Sequence, residues 1–232
     1  MARDRVATLS QGEVAAALRQ QWRALRSVMV LIYTPVVIAF AVVVAIRIGT
    51  GIAIATFTRD PLAFTEIPVY TGVLSTLGVV IWSAAAAVCL LSYAVIRNRA
   101  AGGASPHFLL AGGLVTVLLL LDDAFMLHEV VFPEHLGVSQ KVVYAAHAAV
   151  LLWFLVWFRS TILHTDFLLL ALALAGFGFS VGTDLTARST PFAGLYVFED
   201  GAKLFGIVSW AAYFVMVSAQ RVGGEVGGQQ SD

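Results

Sequence analysis

The chain contains a succession of uninterrupted apolar stretches, each at or above the roughly 18 residues needed to cross a hydrocarbon layer about 30 Å thick. A chain built this way cannot wrap all of that surface into one water-facing fold, so the stretches read as helices facing lipid. Composition agrees: 59% of the residues are hydrophobic and 12% are charged, against about 25% charged in an average soluble domain. The spacing predicts an all-α, polytopic integral membrane protein, a bundle of six transmembrane helices at about 27–48, 69–96, 107–131, 140–158, 165–185 and 196–219.

Outside those spans, residues 1–26 are too polar for a signal peptide and no cleavable small-residue site follows, so the N-terminus is expected to stay attached. Ser10 and Glu13 have the spacing of a capping box. Leu9, Val14, Leu18, Trp22 and Leu25 form an apolar stripe opposed by Arg19, Arg23 and Arg26. These features predict a short interfacial helix on the cytoplasmic surface, the alternative being a simple extension of the first span into water. Residues 220–232 have the composition of a disordered cytoplasmic tail, which leaves 27–219 as the transmembrane domain.

Orientation follows from the basic residues. Arg3, Arg5, Arg19, Arg23, Arg26, Arg97, Arg99, Arg159 and Arg221 fall on one side of the six spans, and Arg59, Lys141 and Arg188, with Arg47 and Lys203 near helix ends, on the other. The positive-inside rule therefore predicts a multi-pass protein of the cell (inner) membrane with both termini in the cytoplasm. Formal net charge is zero, and the dispersed basic residues exclude a groove that tracks nucleic acid. Cys89, the single cysteine, sits in an apolar run, which excludes a disulfide framework and predicts a buried structural thiol. Pro35 is expected to kink or loosen the first span. The pairs Gly178 with Gly182 and Ser83 with Ala87 predict close helix approaches.

Ionisable side chains within a span cost about 2.5–3.5 kcal/mol each on insertion scales, so they are rare unless they pair, face a cavity or bind something. Here they collect near the extracytoplasmic side: Asp122, Asp123, His128 and Glu129 in the third span, His147 in the fourth, Asp184 in the fifth, and Glu199, Asp200 and Lys203 in the sixth. On an ideal helix Asp122 and Glu129 share a face, and His128 points roughly 120° away from Asp122. Adjacent acids as deep as Asp122 and Asp123 would repel unless something cationic sits between them. Glu199, Asp200 and Lys203 have the spacing of an ion pair within one helix. Glu134 and His135, nearer the helix end, and His107 and His164, at cytoplasmic helix starts, read as interfacial.

This set supports three expectations. A divalent metal (zinc, iron or manganese) would draw on His147, Asp184 and Glu199, with Asp122, Asp123 and Glu129 as catalytic carboxylates. Such a metal-dependent membrane enzyme would act on a lipid-soluble substrate, a lipid or a quinone. Asp, Glu and His chains also serve cation- or proton-coupled transporters, although the cytoplasmic halves of the spans are nearly free of polar side chains. The third expectation is a scaffold or assembly subunit held together by hydrogen-bonded carboxylates. Neither HExxH nor a paired ExxH motif is present to strengthen the metal reading.

Glu199-Asp-Gly-Ala-Lys203-Leu-Phe-Gly206 resembles the last helix of microbial rhodopsins, in which an acid four residues before a lysine is the counterion of a retinal Schiff base. The resemblance covers about eight residues, in a chain read with six spans rather than that family's seven and without a matching third-helix motif. Alkaline ceramidase-like hydrolases also pair a deep aspartate with histidines, but their HxxxH motif is absent. No family is assigned on either.

Overall fold

The computed structural model describes residues 11–58, 67–68, 70–97, 106–187 and 195–228. Ser10 with its capping box, the arginines at 3, 5, 59, 99 and 188, and the last four residues of the tail lie outside them. Every regular element among the described residues is helical. The chain divides into two compact units at residue 69, and each is treated separately below.

The first unit is dominated by α1, one continuous helix from Gln11 to Thr50, followed by the short α2 (Ala55–Thr58). The amphipathic segment and the first apolar stretch therefore belong to a single helix, in place of the separate interfacial helix expected. Pro35 lies within α1 and does not end it. Arg47 reaches the carbonyl of Gly51 and Thr50 Oγ1 donates to Ile46 O at 2.8 Å, which satisfies acceptors freed where the helix stops.

The second unit contains α3 (Val73–Ile96), α4 (His107–Ala124), a π-helical segment (Leu127–His135), α5 (Gln140–Trp157), the short α6 (Arg159–Leu163), α7 (Leu168–Ala187) and α8 (Leu195–Gly228). Five helices among the described residues are long and apolar enough to cross a membrane: Val73–Ile96, His107–Ala124, Gln140–Trp157, Leu168–Leu185 and Phe198–Gly223. The protein is thus a multi-pass membrane protein. The first expected span, 27–48, lies in α1, whose apolar part is the shorter Val36–Thr50. Helix α8 runs on to Gly228, into the tail whose composition predicts disorder.

Helix α8 packs against both α7 and α3, and α3 also packs against α4. Their common core is aromatic: Trp210, Tyr213, Phe214, Phe108 and Phe154 are almost fully buried. Phe108 stacks on Phe154 and Phe214 at centroid distances of 5.5 and 5.9 Å. Such pairs contribute about 0.5–1.5 kcal/mol beyond their area. That matters here because lipid tails are as apolar as the side chains, so shape and polar contacts, more than burial, drive association. Trp210 Nε1 donates to Thr116 Oγ1 at 2.9 Å, and Thr116 donates to Gly112 O at 2.7 Å, tying α8 to α4 inside this core. Cys89 is fully buried, as expected.

Close helix approach occurs at glycines other than those expected. A Cβ on Gly176 would stand 2.8 Å from Ala202 O and 2.9 Å from Gly206 Cα, so α7 and α8 touch backbone to backbone there. A Cβ on Gly178 or Gly182 would meet nothing within 4 Å. On α3, Ser83 and Ala87 are exposed while Ala85, Ala86 and Cys89 are buried. The small-residue spacing was present in both helices, but the buried face lies a fraction of a turn from it.

Candidate functional site

The site is organised by an interruption in the third apolar stretch. Helix α4 ends at Ala124, Phe125 turns away from helical geometry, and Met126 adopts left-handed φ 48°, ψ 44°. A non-glycine residue rarely enters that region, and such positions cluster where surrounding structure enforces them. The chain then restarts as the π-helix, with Pro133 inside it. This break brings His128 back onto Asp122: Asp122 Oδ1 accepts the His128 backbone N–H at 3.0 Å, and Oδ2 lies 2.6 Å from His128 Nδ1. The sequence expectation of a 120° separation assumed an uninterrupted α-helix through residue 128 and is corrected by the break.

Asp122 is buried, and its Oδ2 also lies 3.9 Å from Nδ1 of His147 on α5. The neighbouring Asp123 turns to α8, where Lys203 Nζ donates to its Oδ1. The two adjacent acids thus have separate cation-capable partners, which removes the repulsion between them that the sequence posed. Lys203 was expected to pair with Glu199 and Asp200 on its own helix. Among the described residues its ion pair is instead with Asp123, because at that register the lysine reaches across to α4. The likeness of residues 199–206 to a rhodopsin helix therefore does not extend to the counterion.

Asp184 on α7 is held by two donors from α5, Gln140 Nε2 at 2.9 Å and Tyr144 Oη at 2.8 Å. Gln140 also donates to Tyr144 Oη at 2.9 Å. The Tyr144 ring lies against the His128 ring with centroids 5.1 Å apart. Asp184 thereby fixes Tyr144, and Tyr144 supports the imidazole that Asp122 orients. Neither Gln140 nor Tyr144 was singled out from sequence. Their signal was available in the polar face of the early α5 turns, opposite the acid in α7.

Asp122, Asp123, His128, Tyr144, His147, Glu199 and Lys203 all line one cavity of about 400 Å³. Its remaining wall is largely apolar and includes Trp82, Leu119, Leu151, Leu155, Leu174 and Phe177. Five of the expected site residues are therefore gathered together: Asp122, Asp123, His147, Glu199 and Lys203. Glu129 is exposed and outside the cavity lining, since the π-helical restart rotates it off the Asp122 face. Asp184 stands behind Tyr144, outside the lining. Asp200 is exposed. Among the described residues, no group of three His, Cys, Asp or Glu side chains is arranged to hold a metal ion. The expected set His147, Asp184 and Glu199 is not brought together: His147 and Glu199 line the cavity, and Asp184 does not.

A family model described as Domain of unknown function (DUF8692) matches residues 30–217. The chain belongs to the DUF8692 family. The matched region takes in every residue of the cavity. No curated protein and no solved structure matches the chain.

Proposed function

We propose that this DUF8692 protein is a membrane enzyme that takes a lipid-soluble molecule into the cavity and transfers a proton to or from its polar head. The observation that carries this reading is the two-oxygen grip of Asp122 on His128 at the polar end of an otherwise apolar cavity. With Nδ1 engaged by the carboxylate, Nε2 is the ring atom left to exchange a proton. Asp122 would steady the imidazolium formed when Nε2 accepts one, and a positioned acid or base of this kind contributes typically about 10²–10⁴-fold in rate. His147 and Glu199 line the same cavity and supply further proton-carrying groups. The Lys203–Asp123 pair sets the charge beside them, and the leucine and aromatic wall receives the apolar part of the substrate.

The metal expectation is not carried forward, because the ligands it required are not grouped. A transmembrane proton path has less support than an enzyme site. Among the described residues, the layer beyond the cavity is filled largely by the apolar rings of buried Trp210, Phe154, Phe214 and Phe108, with Tyr213 and Arg221 on its far side, rather than by carboxylates and histidines like those of the cavity. In the orientation read from the arginines, both termini are cytoplasmic and the cavity lies towards the outer side of the cell membrane.

The test is to supply reconstituted protein with a total membrane lipid extract and to follow the lipids by mass spectrometry. The parent should convert one lipid class, and His128→Gln should bind that class without converting it. Equal conversion by both, or no change with either, would sink the reading.

A further inference from the structure

Positive charge in this chain is carried almost entirely by arginine: the sequence has twelve, against two lysines, Lys141 and Lys203. Lys141 is exposed at the start of α5. Lys203 lines the cavity and pairs with Asp123. An ion pair alone does not call for a lysine there, because a guanidinium stays charged, forks onto both oxygens of a carboxylate and is more weakly hydrated. Asp123 Oδ2 is buried without a hydrogen-bond partner, an unmet acceptor of the kind that a forked guanidinium serves. What a lysine adds is a primary amine that can lose a proton and form a carbon–nitrogen bond. The pair is also asymmetric: the Asp123 side chain is 6% exposed and that of Lys203 37%, so the carboxylate is shut away while part of the lysine stays reachable. The backbone beside the lysine, at Ala202 and Gly206, lies against Gly176 of α7, which fixes where the side chain starts. The cavity it lines falls within the range of about 300–1,000 Å³ common to small-molecule sites.

We propose that Lys203 captures an apolar aldehyde or ketone as an imine, with Asp123 as its proton carrier and partner charge. This names the substrate class of the proposed enzyme, and rests on that reading for the later proton step. In apolar surroundings the ammonium hands one proton to the Asp123 carboxylate, since two neutral groups are less costly there than two charges. The freed lone pair attacks the carbonyl carbon and forms the C–N bond, and a nitrogen proton moves to the oxygen. Asp123 then returns its proton to that oxygen, the C–O bond breaks and water leaves. An ammonium and a carbonyl have become an iminium and water, so one positive charge stands beside the Asp123 carboxylate before and after, and the tie between α4 and α8 survives the reaction. The iminium draws electrons from the neighbouring carbon and makes its C–H acidic. His128, gripped by Asp122, lines the same cavity and is the base to take that proton.

The experiment treats the full chain in lipid nanodiscs with dodecanal and sodium cyanoborohydride, which reduces an iminium to a stable secondary amine, and maps the label by peptide mass spectrometry. Lys203 should be labelled about tenfold or more faster than Lys141, because the cavity holds the aldehyde against its amine. Lys203→Arg keeps a cation beside Asp123 and should retain the parent's thermal melt while losing the fast label. Labelling of Lys203 no faster than Lys141 in the parent would overturn the proposal, whatever the variant does, and leave the pair as a structural tie. In D2O without reductant, the parent should also exchange the hydrogens next to the carbonyl of dodecanal, and His128→Gln should be labelled at Lys203 yet exchange slowly. Fast labelling with no exchange in the parent would uphold the capture and strike the proton-transfer reading of the cavity.

Discussion

Asp122 binds His128 through both carboxylate oxygens, one on the backbone N–H and one on Nδ1, although the two residues belong to different helical segments. The backbone contact places a negative side chain at the start of the π-helix, where free N–H groups and the helix dipole favour it. The ring contact selects the tautomer with the proton on Nδ1.

Asp122→Asn should therefore preserve the fold and reduce turnover. Its amide oxygen can still accept the backbone N–H, but the other position becomes an NH2 donor facing Nδ1 and favours the opposite tautomer. A loss of about a hundredfold or more in turnover is expected, with the thermal melt of the detergent-solubilised protein little changed. A melt lowered as far as the activity would make Asp122 a structural cap only.

Lys203→Met should leave Asp123 buried without its cation. The Asp123 side chain is 6% exposed and its Oδ2 has no hydrogen-bond partner, so Lys203 supplies its one strong contact. Removing one member of a fully buried pair costs about 3–5 kcal/mol; because the Lys203 side chain is 37% exposed, a smaller loss of about 1–3 kcal/mol is expected. Adding Asp123→Asn should recover much of that loss, and a double-mutant cycle on unfolding free energy measures the coupling. Additive effects would show that the pair contributes no coupling.

These two contacts mark where sequence reasoning stopped. The helices were legible because apolar stretches of bilayer length admit little else, and the polar level was legible because titratable residues in lipid are scarce. The partner of Asp122 was not legible, since positions were extrapolated along an ideal helix past Phe125 and Met126, where the helix ends. Lys203 and Asp123 are separated by 80 residues, and helix periodicity relates residues only within one helix. The adjacent acids did state that cations were needed; His128, His147 and Lys203 were the candidates at that depth.

Gly176→Ala should destabilise the protein, whereas Gly178→Ala and Gly182→Ala should be close to neutral. The added methyl at 176 would lie against backbone atoms of Ala202 and Gly206, which cannot rotate aside as a side chain can. Overpacking of this kind typically costs about 1–3 kcal/mol. The comparison is read from three thermal melts. Equal melts for all three would mean that the α7–α8 contact yields without cost.

Thr116→Val should weaken the tie between α4 and α8 while keeping nearly the same volume. It leaves Trp210 Nε1 without its acceptor in a fully buried position. Hydrogen bonds between membrane helices average about 0.6 kcal/mol and reach about 1.7, so a loss near the upper value is expected, because the indole has lost its partner in a site with no water access. Trp210→Phe in the same background should add little through the hydrogen bond, although the smaller ring loses contacts of its own. A full additive penalty in the double variant would show that the two side chains are energetically independent.

The remaining question of topology turns on α1. Five helices of the second unit have the length and composition of membrane spans, and an odd number of crossings would put the two ends of the chain on opposite faces. Helix α1 has 40 residues, about 60 Å at 1.5 Å per residue and twice the hydrocarbon thickness. Its first part carries Arg19, Arg23 and Arg26, while from Met29 to Ile46 it carries no charge. That uncharged stretch is long enough to cross, and the arginines before it should hold its start in the cytoplasm. A reporter at the N-terminus and one after Arg221 should both read cytoplasmic, and one at Gly137 should read external. Opposite readings from the two ends would remove α1 from the count of spans. Cytoplasmic signal at Gly137 would invert the bundle and put the Asp122–His128 site on the inner side.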